Sequence, residues 1–147
     1  MSRQATCSAI ISFTQKLEET SSEFYEEMAK KYPDDKETFL AFAKESRKNR
    51  VLITRTYQET ITDALEACFI QVYLNDGLAE TALKQDLDYF DALKVAIGME
   101  EKVSEFYGDV AERSASLLAT IPRAFSKVAE RRRERKHKLK ELAKALK

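Results

Sequence analysis

Four stretches of the chain repeat inward-facing positions at steps of three and four, the spacing of one face of a helix. The first stripe is Cys7, Ile11, Thr14, Glu18, Ser21, Tyr25 and Met28, which predicts a helix over about 4–31. Tyr32-Pro33 stops it, because a residue before proline avoids the α region, and Asp34 or Asp35 can cap the next helix. The second stripe is Phe39, Phe42, Ser46, Asn49 and Ile53, on a helix beginning near Asp35. The third is Leu93, Ala96 or Ile97, Glu100, Val103, Tyr107 and Val110, over about 88–118. The fourth follows Thr120-Ile121-Pro122 and reads Phe125, Val128, Arg132, Arg135, Leu139 and Leu142. Each stripe is apolar at its ends and polar in the middle, which is unusual for a face that builds a core.

Between the second and third helices the periodicity fades. Residues 60–87 contain the apolar run ACFIQVYL and the stop signal Asn75-Asp76-Gly77, and read as a crossover with some helical turns. The reading is therefore a single all-α domain over 1–147: a first hairpin 4–59, a crossover 60–87 and a second hairpin 88–147, with no place for a β-sheet. Gly98 lies within the third helix at a cost near 1 kcal/mol, which suggests close packing there.

One segment occurs twice. Residues 18–29 read EETSSEFYEEMA and residues 100–111 read EEKVSEFYGDVA, identical at seven of twelve positions. The spacing of 82 residues describes a duplicated half-domain rather than a solenoid array. The second pair of matching positions, Phe39 and Phe125, is 86 apart, so four extra residues are expected in the loop before Pro122.

Composition narrows the class. Three glycines, two prolines and no tryptophan in 147 residues fit a nearly all-helical chain with room for one core. No apolar run approaches the roughly 18–20 residues that cross a bilayer, and the first residues are too polar for a secretory signal, so a cytoplasmic protein is expected. Cys7 and Cys68 form no CxxC pair and, with one histidine in the chain, build no zinc site of the usual type; reduced half-buried thiols are expected. Net charge is zero, yet from Ile121 onward eleven Lys or Arg face three Glu, so that segment carries +8 and the first 120 residues carry −8. The run RRRERKHKLK at 131–140 is read as a solvated face, because the aromatic partners of single-strand binders are missing from it; nucleic-acid binding is kept only as a second alternative.

The doubled EFY segment and the arrangement of two short-loop hairpins about a long crossover resemble the ferritin-like bundle, and within it the rubrerythrin-like branch. In that branch a glutamate lies seven residues before the tyrosine of a Phe-Tyr pair, as Glu18 lies before Phe24-Tyr25 and Glu100 before Phe106-Tyr107. The second and fourth helices of the branch carry FxxLAxEExxH, whose second glutamate and histidine bind metal. FLAFAKESRKN matches at Phe39, Ala43 and Glu45, and FSKVAERRRER at Phe125 and Ala129. The resemblance implies an antiparallel four-helix bundle and a di-iron carboxylate site.

The ligand positions implied by that likeness read Glu18, Ser46, Asn49, Glu100, Arg132 and Arg135, so only Glu18 and Glu100 retain metal-binding chemistry. His137 lies two residues off the Arg132/Arg135 face and is expected in solvent. The expectation is a non-catalytic bundle with no catalytic residues and no cofactor, in which Arg132 and Arg135 replace the metals in a network with Glu18 and Glu100, and Ser46 and Asn49 donate further hydrogen bonds. Tyr25 and Tyr107 are expected as core tyrosines with satisfied hydroxyls. A homodimer through ACFIQVYL is expected. The alternative implied by the resemblance is a divergent iron-binding oxidase or peroxidase.

Overall fold

A computed structural model describes residues 3–59, 69–72, 87–114 and 120–146. Helix α1 spans Cys7–Lys31, α2 Lys36–Glu59, α3 Tyr89–Arg113 and α4 Thr120–Ala145. The buried faces follow the predicted stripes: Thr14, Glu18, Ser21, Tyr25 and Met28 on α1, and Phe39, Ser46, Asn49 and Ile53 on α2, are inaccessible. So are Leu93, Ala96, Glu100, Val103, Tyr107 and Val110 on α3, with Phe125, Val128, Arg132 and Leu139 on α4. Leu142 and Ile97 are only half-buried.

Local chemistry sets the helix ends. Tyr32, held before Pro33, donates its N–H to the Met28 carbonyl at 2.9 Å, and Pro33–Asp35 make one 3-10 turn before α2 starts. Asp88 caps α3, its carboxylate accepting the Asp91 N–H at 2.8 Å. Asp35 uses its carboxylate on another element, accepting the Tyr89 hydroxyl at 2.5 Å. Beside it the Tyr32 and Tyr89 rings stack at 5.1 Å, fastening the first turn to the start of α3.

α1 packs along α2 and α3 along α4, so the chain forms two hairpins. Pairings run in opposite order along every contact. Asn49 meets Arg131 while Ser46 meets Arg135, making α2 and α4 antiparallel. Tyr25 meets Glu100 while Tyr107 meets Glu18, making α1 and α3 antiparallel as well. Each tyrosine is packed among phenylalanines, Tyr25 against Phe24, Phe39 and Phe42, and Tyr107 against Phe106 and Phe125.

Three expectations need correction. Arg3–Thr6, whose last three residues were read as helix, form strand β1, and Phe69–Val72 in the crossover form strand β2; they pair antiparallel with Arg3 opposite Val72 and Thr6 opposite Phe69. Three of the four β2 residues are Phe, Ile and Val, types that favour a strand over helical turns. Gly98 is not at a close approach: an added Cβ would meet nothing within 4 Å. Pro122 lies inside the first turn of α4, so part of the extra length before it is helix; residues 115–119, including the expected end of the third helix, lie outside the described residues. Cys68 and the rest of the crossover except Leu87 also lie outside them, as does the Cys7 side chain. Among the described residues no helix is long and apolar enough to cross a membrane.

Candidate functional site

The polar middles of the four stripes meet at the centre of the bundle. Glu18 on α1, Ser46 and Asn49 on α2, Glu100 on α3 and Arg132 on α4 are all fully inaccessible, and Arg135 is 2% exposed. Their position follows from the register of the hairpins, since each sits one to three turns from an aromatic layer that fixes the depth of its helix.

Arg132 bridges the two glutamates. Its Nη1 donates to Glu100 Oε1 at 2.9 Å and Oε2 at 2.8 Å, while Nη2 donates to Glu18 Oε1 at 2.6 Å. One guanidinium thus spans the gap between the retained ligand positions of both hairpins, using the planar fork that suits carboxylates. Arg135 lies beside it. Its Nη1 donates to Ser46 Oγ at 3.0 Å and Glu100 Oε2 at 3.3 Å, and its Nη2 to Glu45 Oε1 at 2.5 Å. The Arg135 guanidinium also lies 5.4 Å from the ring centres of Tyr25 and Phe42.

The tyrosines of the repeated segment cross between hairpins. Tyr25 on α1 donates to Glu100 Oε2 on α3, and Tyr107 on α3 donates to Glu18 Oε2 on α1, each at 2.5 Å. Asn49 Nδ2 donates to Glu18 Oε1 at 3.3 Å, and its own Oδ1 accepts from Arg131 Nη1 at 2.8 Å.

All six predicted positions therefore belong to one buried cluster, with two differences in role. Ser46 accepts from Arg135 and donates to neither glutamate, and Arg135 reaches only Glu100, not Glu18. Four further residues join: Tyr25, Tyr107, Glu45 and Arg131. The tyrosines were signalled by their place in the repeat and Glu45 by its place in the FxxLAxEExxH match, but neither signal says which helix lies opposite. Arg131 falls one residue off the stripe and gave no signal. His137 is outside the cluster, 76% exposed and paired with Glu141 at 2.9 Å.

Burial and charge act together on these groups. Desolvation pushes the Glu100 carboxyl up, but Arg132, Arg135 and the Tyr25 hydroxyl outweigh it and hold Glu100 below the usual carboxylate range. Burial, and then the facing carboxylate, push Tyr25 and Tyr107 well above an ordinary phenol. Desolvation works against the charge on Arg132, yet Glu100 and Glu18 more than restore it. Glu100 and the two guanidiniums are thus held in their charged forms, and the two phenols in their neutral ones. Arg132 Nε and Ser21 Oγ are buried without a hydrogen-bond partner among the described residues.

A di-iron carboxylate centre takes about four carboxylates and two imidazoles. This donor set does not fit it. A guanidinium has no lone pair to offer, and Arg132 uses the oxygens of Glu18 and Glu100 that a bridging metal would need. Among the described residues no group of three or more His, Cys, Asp or Glu is placed to hold a metal ion.

No protein-family model matches the chain, and no curated protein matches its sequence. A crystal structure from Thermotoga maritima, assigned as a ferritin-like diiron-carboxylate protein, is similar over 99% of both chains, with a TM-score of 0.79 and 19% identity. The protein has the ferritin-like four-helix fold. The Thermotoga maritima structure is assigned by name to the diiron-carboxylate class; in this chain the middle of the bundle holds arginine.

Proposed function

We propose that this chain is a non-catalytic, rubrerythrin-like bundle in which an internal Glu–Arg network stands where the lineage carries metal, and that it serves as a structural or binding protein. The observation that carries the reading is the Arg132 guanidinium, inaccessible to solvent and bonded to Glu18 and Glu100 at once. Two positive charges at former ligand positions neutralise two glutamates without a metal and repel an incoming cation. The twofold EFY segment supports descent from a duplicated hairpin, since equivalent glutamates and tyrosines make equivalent bonds across the centre. Self-association belongs to the same proposal, through the apolar crossover; light scattering across a concentration series reads it, a dimer being expected and a persistent monomer counting against it.

Metal content tests the central reading. Protein purified without chelators, then incubated anaerobically with excess Fe(II) and desalted, should carry well under one iron per chain. One or two tightly held irons, with oxygen consumption on exposure to air, would instead favour the divergent oxidase or peroxidase.

A further inference from the structure

The buried serines and threonines of the bundle have settled partners, with one exception. Thr14, Ser22, Thr56, Ser104 and Ser114 each donate to a backbone carbonyl three or four residues earlier, and Ser46 accepts from Arg135. Ser21 does neither: its Oγ is inaccessible and has no hydrogen-bond partner among the described residues. The Arg132 Nε is in the same condition. Both atoms belong to one level of the core. Arg132 Nη2 donates to Glu18 and the Arg135 guanidinium lies over the Tyr25 ring, so the two arginines touch α1 on either side of Ser21. In a planar guanidinium the Nε–H lies on the same edge as Nη2, so the edge that meets Glu18 also carries the unused donor. Glu18 and Ser21 are neighbours one turn apart on the inward stripe of α1. The repeated segment singles out this position. Glu18 and Tyr25 are matched by Glu100 and Tyr107, but Ser21 is matched by the apolar Val103. The polar residue is on the helix that the Nε edge faces. A third group has bonding capacity to spare. Glu100 accepts four hydrogen bonds, two from Arg132 and one each from Arg135 and Tyr25, which fills the acceptor positions of a carboxylate. Glu18 accepts three, from Arg132, Asn49 and Tyr107, and keeps one position free.

We propose that Arg132 Nε, Ser21 Oγ and Glu18 form a binding site for one internal water molecule. The water accepts from the Nε–H of Arg132 and from the Ser21 hydroxyl, and donates to the free position on Glu18. Three such bonds are what a buried water usually makes, and they satisfy both orphaned atoms at once. The chemistry of the site selects the occupant. It must be small, because Glu18, Ser21 and Arg132 are all fully inaccessible. It must accept from a guanidinium, which excludes a cation. It must also be neutral. The carboxylates of the network, Glu18, Glu45 and Glu100, already equal its guanidiniums, Arg131, Arg132 and Arg135, so an added anion would be buried without a countercharge. The water joins Ser21 of the first hairpin to Arg132 of the second, and so adds a bond across the interface between the hairpins. This site rests on the reading that the Glu–Arg network, and no metal, holds the centre.

Diffraction from crystals of the full chain, at a resolution that shows ordered water, tests the proposal. Density for one water should lie within hydrogen-bond distance of both Arg132 Nε and Ser21 Oγ. Crystals soaked in sodium bromide should show no anomalous peak there. In solution, oxygen-17 magnetic relaxation dispersion should count one long-lived water fewer in Ser21→Val, which puts the Val103 residue type at this position, than in the unaltered chain. Ser21→Ala should keep the water, since Arg132 and Glu18 still hold it. If Ser21→Val fails to fold by circular dichroism, diffraction from the unaltered chain decides alone. A site without density while Arg132 still bonds both glutamates would overturn this proposal and leave the Glu–Arg network standing. So would a direct Ser21–Arg132 hydrogen bond, equal water counts in the chain and in folded Ser21→Val, or loss of the water in Ser21→Ala. A bromide peak would overturn it in favour of an anion site. Iron bridging Glu18 and Glu100 would remove both this site and the network reading beneath it.

Discussion

The two hairpins bring unequal charge to the same centre. The first buries Glu18 with the neutral Ser46 and Asn49, so its interior carries −1. The second buries Glu100 with Arg132 and Arg135, so its interior carries +1. Either hairpin alone would bury an uncompensated charge; docked together they are neutral. The repeated segment makes the glutamates and tyrosines equivalent, while the other helix of each hairpin breaks the equivalence. The aromatic layers show the same partial symmetry: Tyr25 lies nearly parallel to Phe39 at 6.4 Å, whereas Tyr107 meets Phe125 edge-on at 5.5 Å. The difference teaches that specificity of hairpin docking resides in a few charge-assisted bonds across the interface. Such a network need not add net stability, because desolvation offsets much of the attraction.

Removing the bridge should break this balance most severely. Arg132→Ala strips Glu18 of its one cationic partner among the described residues and takes two bonds from Glu100, at a cost of roughly 3–5 kcal/mol, read as a shift of the urea midpoint at constant slope. Arg135→Ala should cost less, about 1–3 kcal/mol, since its tightest partner, Glu45, is 34% exposed and can turn to water. Equal costs for the two arginines would contradict the assignment of the bridge between the hairpins to Arg132.

pH sharpens the comparison at both ends. The folded pKa of Glu100 is lowered from an ordinary 4.5, so its contribution is present above that value and is lost as pH falls through the lower folded value. Tyr25 and Tyr107 are raised above an ordinary 10.0, so their contribution is complete below pH 10 and is lost as pH rises beyond it. Stability measured by denaturant should therefore fall on both sides of a plateau. Glu100→Gln should flatten the acid limb. In an ultraviolet titration, Tyr25 and Tyr107 should ionise last and only with unfolding; Tyr25→Phe and Tyr107→Phe should each remove part of that late step.

The smallest effect lies away from the centre. An alanine methyl at Gly98 meets nothing within 4 Å, so Gly98→Ala should stabilise α3 by about 0.5–1 kcal/mol, seen as a rise of a few degrees in Tm. A loss of stability would mean that the glycine is required.

The helices and the members of the centre were legible because burial at steps of three and four leaves a mark even when the buried residue is Glu18 or Arg132. Partner choice was not. A stripe names a face, not the helix across from it, so the Tyr25–Glu100 and Tyr107–Glu18 crossing and the acceptor role of Ser46 emerge only from packing. Arg131 was invisible because a long side chain can turn inward from a position beside the stripe. The β1–β2 ribbon was invisible because its partners lie far apart in the chain and neither segment carries a helical or alternating period over enough residues. Gly98 misled because a glycine in a helix marks low propensity whether or not anything packs on it.

The central claim, that a guanidinium occupies the place of the metals, is tested most directly by diffraction from crystals grown with excess Fe(II), using anomalous scattering at the iron edge. The account predicts no anomalous peak between Glu18 and Glu100, with Arg132 within hydrogen-bond distance of both carboxylates. An iron peak bridging those glutamates, with the Arg132 guanidinium displaced from them, would contradict it.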